Sequence, residues 1–160
     1  MSSPEASGSQ RRRGSSAAAG TTRALYYRDK RGREPVNDWI EALNATKPAA
    51  AAKIDDYVEE YLNGRRPEEP PPEYPITSQI EGGLRELRVR FAKTRYRLLY
   101  QRSGNLVVLL QALEKNTGAI PTRDLLVAQR RFKDFQQRME AQPRKPPRAA
   151  GHDAPPKRRA

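Results

Sequence analysis

Residues 83–100, GLRELRVRFAKTRYRLLY, alternate with a period of two on both sides of a short polar break. Leu87, Val89 and Phe91 are separated by Arg88 and Arg90. Beyond the break, Tyr96, Leu98 and Tyr100 are interleaved with Arg95, Arg97 and Leu99. Successive side chains on a strand point to opposite faces, so this spacing predicts a β-hairpin with one apolar face and one face rich in arginine. Pairing Phe91 with Tyr96 puts all six apolar residues on one side and Arg88, Arg90, Arg95 and Arg97 on the other. A slip of one residue would mix the two faces, so the pattern itself selects against it. Arginine stays charged and can donate two parallel hydrogen bonds to one phosphate, so the second face suits a polyphosphate.

The distribution of charge supports that emphasis. The formal net charge is +12 over 160 residues, of which residues 1–23 carry +3 and residues 141–160 carry +5, leaving +4 for the rest. Glu81 to Arg102 alone carries +5, seven basic residues against two acids, so the hairpin holds the charge excess of the folded part. Basic ends bind polyanions without any fold, so the total charge says less about the domain than the hairpin does. The chain has no cysteine, which excludes a disulfide scaffold and a thiolate metal site and favours a reducing cytoplasm. No apolar run approaches the ~20 residues of a membrane helix, so no membrane partner is expected. The single histidine, His152, lies in the Pro/Arg-rich end, so catalysis is expected to proceed without histidine.

Working outward, residues 1–22 are Ser, Gly, Ala and Arg without periodicity, and are expected to be a disordered extension. A domain is predicted over residues 24–140, followed by a solvated basic tail over 141–160. Ala24 to Arg28 reads as a short strand. Pro35 suits the first position of a helix, and Val36, Trp39, Ile40 and Leu43 form its apolar stripe. A second helix starts near Pro48, with Ile54, Tyr57, Val58, Tyr61 and Leu62, and stops at Asn63-Gly64. Residues 65–74, RRPEEPPPEY, cannot be regular structure, because their prolines remove backbone donors. Leu106 to Leu110 is apolar on both faces, as a central strand is, and Pro121-Thr122 opens a last helix carrying Leu125, Leu126, Ala128, Phe132 and Phe135. The predicted class is α+β: strand, helix, helix, three antiparallel strands, helix, with two N-terminal helices on a small antiparallel sheet. Trp39 and the tyrosines at helical spacing are expected in the core, as is Tyr100.

In their order and spacing, GLRELR (83–88), TRYRLLY (94–100), LVVLLQAL (106–113) and EKNTGAIP (114–121) resemble the RelE/HigB superfamily of toxins of bacterial toxin-antitoxin systems, in its phage-related HigB-like branch. The resemblance covers about Ala24 to Phe135. It implies a RelE-like fold with helices on one face of an antiparallel sheet and an open concave face that holds mRNA. It also implies ribonuclease activity on mRNA at the ribosome, and a cognate antitoxin, expected to be a helix-turn-helix protein. Arg88 matches the arginine ending the family's G-L-x-E-L-R motif, Arg97 that of its Tyr-Arg motif, and Lys115 the first lysine of its K-K-T loop. Two positions depart from the pattern: Asn116 stands where the family has a second lysine, and Leu113 where it has a strand-ending phenylalanine.

RNA brings its own nucleophile, the 2′-hydroxyl. Cleavage then requires a proton acceptor for that group, stabilisation of charge on the phosphorane, and a proton for the departing 5′-oxygen. Arg88 and Arg97 are the candidates for charge stabilisation, where a fixed donor is worth ~3 to 4 kcal/mol by analogy with oxyanion holes. Lys115 is the candidate for proton transfer, since clustered guanidinium groups favour a neutral lysine. Arg90, Lys93, Arg95 and Asn116 are the expected RNA-holding residues. No clustered His, Asp or Glu has ligand spacing, and neither metal nor cofactor is expected. The rival reading is a basic RNA- or protein-binding module of the same fold, weakened in catalysis by the change at Asn116.

Overall fold

The computed structural model describes residues 20–141 and 149–151. The basic extension up to residue 19, most of the Pro/Arg tail and His152 lie outside the described residues. Eight elements follow in order: β1 (Arg23–Tyr26), α1 (Pro35–Thr46), α2 (Pro48–Tyr61), β2 (Thr77–Glu81), β3 (Leu84–Phe91), β4 (Thr94–Ser103), β5 (Leu106–Glu114) and α3 (Thr122–Glu140). Both early helices start on the prolines that the sequence marks, whose missing N–H is no loss in a first turn. The strands form one sheet in the order β1-β5-β4-β3-β2.

The class is α+β, with corrections to the expected sheet. Four strands, not three, follow the helical hairpin, because Thr77–Glu81 adds an edge strand antiparallel to β3. The sheet is mixed, not antiparallel, because β1 runs parallel to β5, with Leu25 beside Val108. Both β1 and β5 are apolar on both faces, as a strand covered on two sides must be. Residues 149–151 also depart from the solvated tail: Ala150 is fully buried, and its N–H donates to Ala24 O at 2.8 Å on the outer edge of β1. Gly151 beside it has φ +86°, and a Cβ there would sit 3.2 Å from Glu59 Oε1 and Asn63 Nδ2, which favours glycine at this seat.

The hairpin keeps its two faces but not its expected register. Leu87 faces Leu98, Val89 faces Tyr96, Arg88 faces Arg97, Arg90 faces Arg95, and Phe91 faces Thr94. The pairing is offset by two residues from the Phe91–Tyr96 expectation, which preserves every side-chain direction. Ala92 at φ 56° and Lys93 make a two-residue connection, which closes the strands one pair tighter. On the apolar face, Leu87, Val89, Tyr96, Leu98 and Tyr100 pack with Val36, Ile40, Ile54 and Val58 of α1 and α2. Trp39 meets Tyr96 edge to face at 5.8 Å, so the expected core role of the aromatics holds there.

The opposite face is where the expected single layer of helices fails. Helix α3 covers it at one end, burying Leu84, Leu99, Val108 and Leu110 under Ala128, Phe132 and Phe135. The arginine end of that face is not under this cluster. Helix α3 is anchored by polar contacts: Tyr27 Oη donates to Asp134 Oδ2 at 2.6 Å, and Arg138 Nε donates to the same oxygen at 3.0 Å. Burial, then the Asp134 bond and charge, push the Tyr27 phenol up to about 12. Burial raises the Asp134 carboxyl, but its bonds from Tyr27 and Arg138 outweigh this and hold it below the usual range. No described helix is long and apolar enough to cross a membrane.

Candidate nucleic-acid interface

Strand alternation puts Glu86, Arg88 and Arg90 of β3 beside Arg95 and Arg97 of β4 on the face that α3 leaves open. Lys115 continues the ladder, its N–H donating to Arg95 O at 3.0 Å. Arg88, Arg90, Arg95 and Arg97 line a cleft of about 340 Å³, with Tyr57 from α2 and Tyr74 to Ile76 from the segment before β2. The cleft therefore gathers four guanidinium groups from the hairpin and two tyrosines from the segments beside it.

The arginines are not equivalent. Arg90 and Arg95 are exposed, with Lys93 at the turn between them. The Arg88 side chain is 26% exposed, and its guanidinium lies 5.1 Å from the Tyr74 ring centroid. Arg97, expected on an open guanidinium face, is only 4% exposed. Its Nη1 donates to Gly118 O at 3.2 Å and lies 3.5 Å from Glu86 Oε1. Burial follows from its position in the middle of β4, with the loop after β5 folded over it.

Glu86 is the residue that the sequence reading missed. It is 4% exposed, and Ser78 Oγ donates to its Oε2 at 2.8 Å. Arg88 Nε approaches the same oxygen to 3.8 Å, whereas Oε1 has no hydrogen-bond partner among the described residues and lies 3.5 Å from Arg97 Nη1. A buried carboxylate needs such charge compensation, and in turn it fixes both guanidinium groups. The alternation that exposes the arginine face contained this signal, since residues 86, 88 and 90 share a side. Lys53 of α2 is a second addition: its Nζ donates to Arg90 O at 2.5 Å and lies 6.0 Å from the Phe91 ring, bringing another cation to the hairpin tip.

Asn116, the residue in place of a family lysine, has a definite task. Its Oδ1 accepts the Arg95 N–H at 2.8 Å, and its carbonyl accepts from Arg95 Nη1 at 3.1 Å. Together these bonds clasp the loop to β4 beside Lys115, and a lysine at 116 could not make the first of them, its side chain having no acceptor. Gly118 connects the two remaining candidates: Arg97 donates to its carbonyl, and a Cβ on it would lie 3.8 Å from Lys115 Cε. Arg97 and Lys115 thus meet at one loop residue. The far end of that loop is held by α3, where Gln111 Nε2 donates to Asp124 Oδ1 at 2.9 Å. Leu113, directly opposite Arg97, is half-buried against the α3 cluster.

No curated protein matches the chain significantly. The model of the family described as Phage derived protein Gp49-like matches residues 38–133, more than half of the chain, and spans most of α1, all of α2, the arginine hairpin, the loop with Lys115 and most of α3. The chain belongs to this Gp49-like family, a RelE-like family associated with the toxins of toxin-antitoxin systems.

Proposed function

We propose that this protein is the toxin of a type II toxin-antitoxin pair, of the HigB-like branch, and that it cleaves mRNA on the ribosome in the cytoplasm and so stops translation. The observation that carries the reading is the placement of Arg88 opposite Arg97 in a cationic cleft, with Arg97 bonded to Gly118 of the loop that carries Lys115. Exposed Arg90, Lys93 and Arg95 attract and hold the RNA backbone. Arg88, part-exposed, contacts the scissile phosphate and stabilises the phosphorane. Arg97 acts from beneath, adding positive potential and fixing Gly118. Lys115 serves one of the two proton transfers and solvent water the other, so the proton lost by the 2′-hydroxyl is balanced by the one gained at the 5′-oxygen. The 2′-hydroxyl of the RNA attacks its own phosphate, so the chemistry requires no metal and leaves a 2′,3′-cyclic phosphate and a free 5′-hydroxyl. Glu86 positions the two arginines.

Removing a donor that meets transition-state charge costs ~3 to 4 kcal/mol, roughly 10²- to 10³-fold in rate. Arg88→Ala is the informative variant, because Arg97→Ala would also leave Glu86 buried without its counter-charge. Induced expression of the unaltered chain is expected to arrest growth, with relief by an adjacent helix-turn-helix antitoxin. Arg88→Ala at equal soluble level is expected to be tolerated. Equal toxicity from both would refute the role of Arg88. Harmless expression of the unaltered chain would favour the rival, a basic RNA- or protein-binding module without chemistry.

A further inference from the structure

We infer that Tyr74 is a stacking platform for an unpaired nucleobase, so that the cleft takes single-stranded nucleic acid by a base as well as by phosphates. The inference rests on the reading that the cleft binds RNA, and adds how the strand is gripped. Tyr74 is 71% exposed, more than any other large hydrophobic residue among those described. A lone exposed aromatic is ordinary on a protein surface. What sets Tyr74 apart is that it lines the cleft with Arg88, Arg90, Arg95 and Arg97, and that the Arg88 guanidinium lies over its ring.

The backbone on either side of the ring is also tied down. On the C-terminal side, Ile76 N–H donates to Glu73 O at 2.9 Å, and Ile76 O accepts the Arg88 N–H at 2.8 Å. From the N-terminal side, Pro72 O accepts from Thr77 Oγ1 at 2.6 Å. The turn that presents Tyr74 is therefore tied directly to the strand that carries Arg88. An aromatic carried on a tied turn loses less freedom on binding than one on a free segment. Base stacking on such a surface is sequence-tolerant, because every base has a π face, but it requires the base to be out of a duplex. Arg88 contacts both the ring and the cleft, so a base on Tyr74 and its neighbouring phosphate meet adjacent groups.

The test uses the full chain and a short 2′-O-methyl RNA, which lacks the nucleophile and cannot be cut, alongside a strand of equal length without bases. Binding is read by fluorescence anisotropy. Tyr74→Ala is expected to weaken the base-bearing strand roughly 5- to 150-fold, the usual loss when a stacking aromatic is removed. The baseless strand should bind the variant and the unaltered chain equally, Tyr74→Phe should match the unaltered chain, and the melting temperature should not change. Loss of both strands alike, loss of neither, or a Phe variant as weak as the Ala variant overturns the inference. If Tyr74→Ala has no effect while Arg90→Ala with Arg95→Ala weakens both strands, stacking fails and the RNA reading survives. If the unaltered chain binds neither strand, both fail.

Discussion

Arg97→Met tests the buried pair beneath the cleft. Arg97 and Glu86 are each 4% exposed, with Nη1 and Oε1 3.5 Å apart. Removing one partner of a buried ion pair costs ~3 to 5 kcal/mol, because the other charge is left uncompensated. Ser78 and the more distant Arg88 still face Glu86 Oε2, which places the expected loss at the lower end, about 3 kcal/mol. For a domain of this size 1 kcal/mol corresponds to roughly 3 to 4 °C, so thermal unfolding followed by near-ultraviolet circular dichroism should shift down by roughly 10 °C. Adding Glu86→Leu removes the stranded charge, and the double variant should regain most of the loss or exceed the unaltered chain. A single-variant shift below about 3 °C would mean that Arg97 lies on a solvated face. A double variant as unstable as the single one would refute the attribution of the loss to Glu86.

Other perturbations separate the remaining parts. The Asp134 carboxyl is held below its ordinary range, so its contribution is present above the unfolded pKa near ~3.9 and is lost as pH falls through the lower folded value. Asp134→Asn should therefore lower the melting temperature at pH 7 and converge with the unaltered chain in acid; a gap that persists there would contradict the linkage. Gly151→Ala should cost about 1 to 2 kcal/mol in thermal unfolding, since it forces a side chain into the left-handed region against Glu59 and Asn63, and no loss would show that Ala149 to Gly151 are not seated on β1. Asn116→Ala should lose about 0.5 to 1.5 kcal/mol with the Arg95 N–H bond and slow cleavage through a misplaced Lys115; unchanged cleavage would remove the loop clasp from the mechanism.

Much of this architecture is legible in the residues, for reasons that also explain what is not. The hairpin faces follow from strict alternation between Leu87 and Leu98, and the helix starts from Pro35 and Pro48. The register between those strands depends on the turn, and nothing in Ala92-Lys93 announces that Ala92 takes a positive φ. Strand β2, TSQIE, has one large apolar residue, Ile80, and its pairing is supplied by β3 and not by its own pattern. The apolar run of β1 shows burial on both faces but not direction, so its parallel pairing with β5 is a property of the tertiary fold. Within the site, Arg88 and Arg97 face each other across the hairpin as the alternation indicates, Lys115 follows in the loop after β5 and is not among the residues that line their cleft, and Glu86 is visible from the same alternation once the face is treated as a packed surface. Tyr74 is not, because a tyrosine at the end of a proline-rich segment carries no periodicity; only its seat beside Arg88 gives it meaning.

The central claim is that the arginine cleft cuts RNA, and the most direct measurement is the product formed in a purified translation system. The unaltered chain is expected to cut the translated mRNA, leaving a 2′,3′-cyclic phosphate on one fragment and a 5′-hydroxyl on the other, with Arg88→Ala slower by roughly 10²- to 10³-fold at a temperature where both chains are fully folded. Intact mRNA with the unaltered chain, or cutting by Arg88→Ala at the full rate, would contradict it.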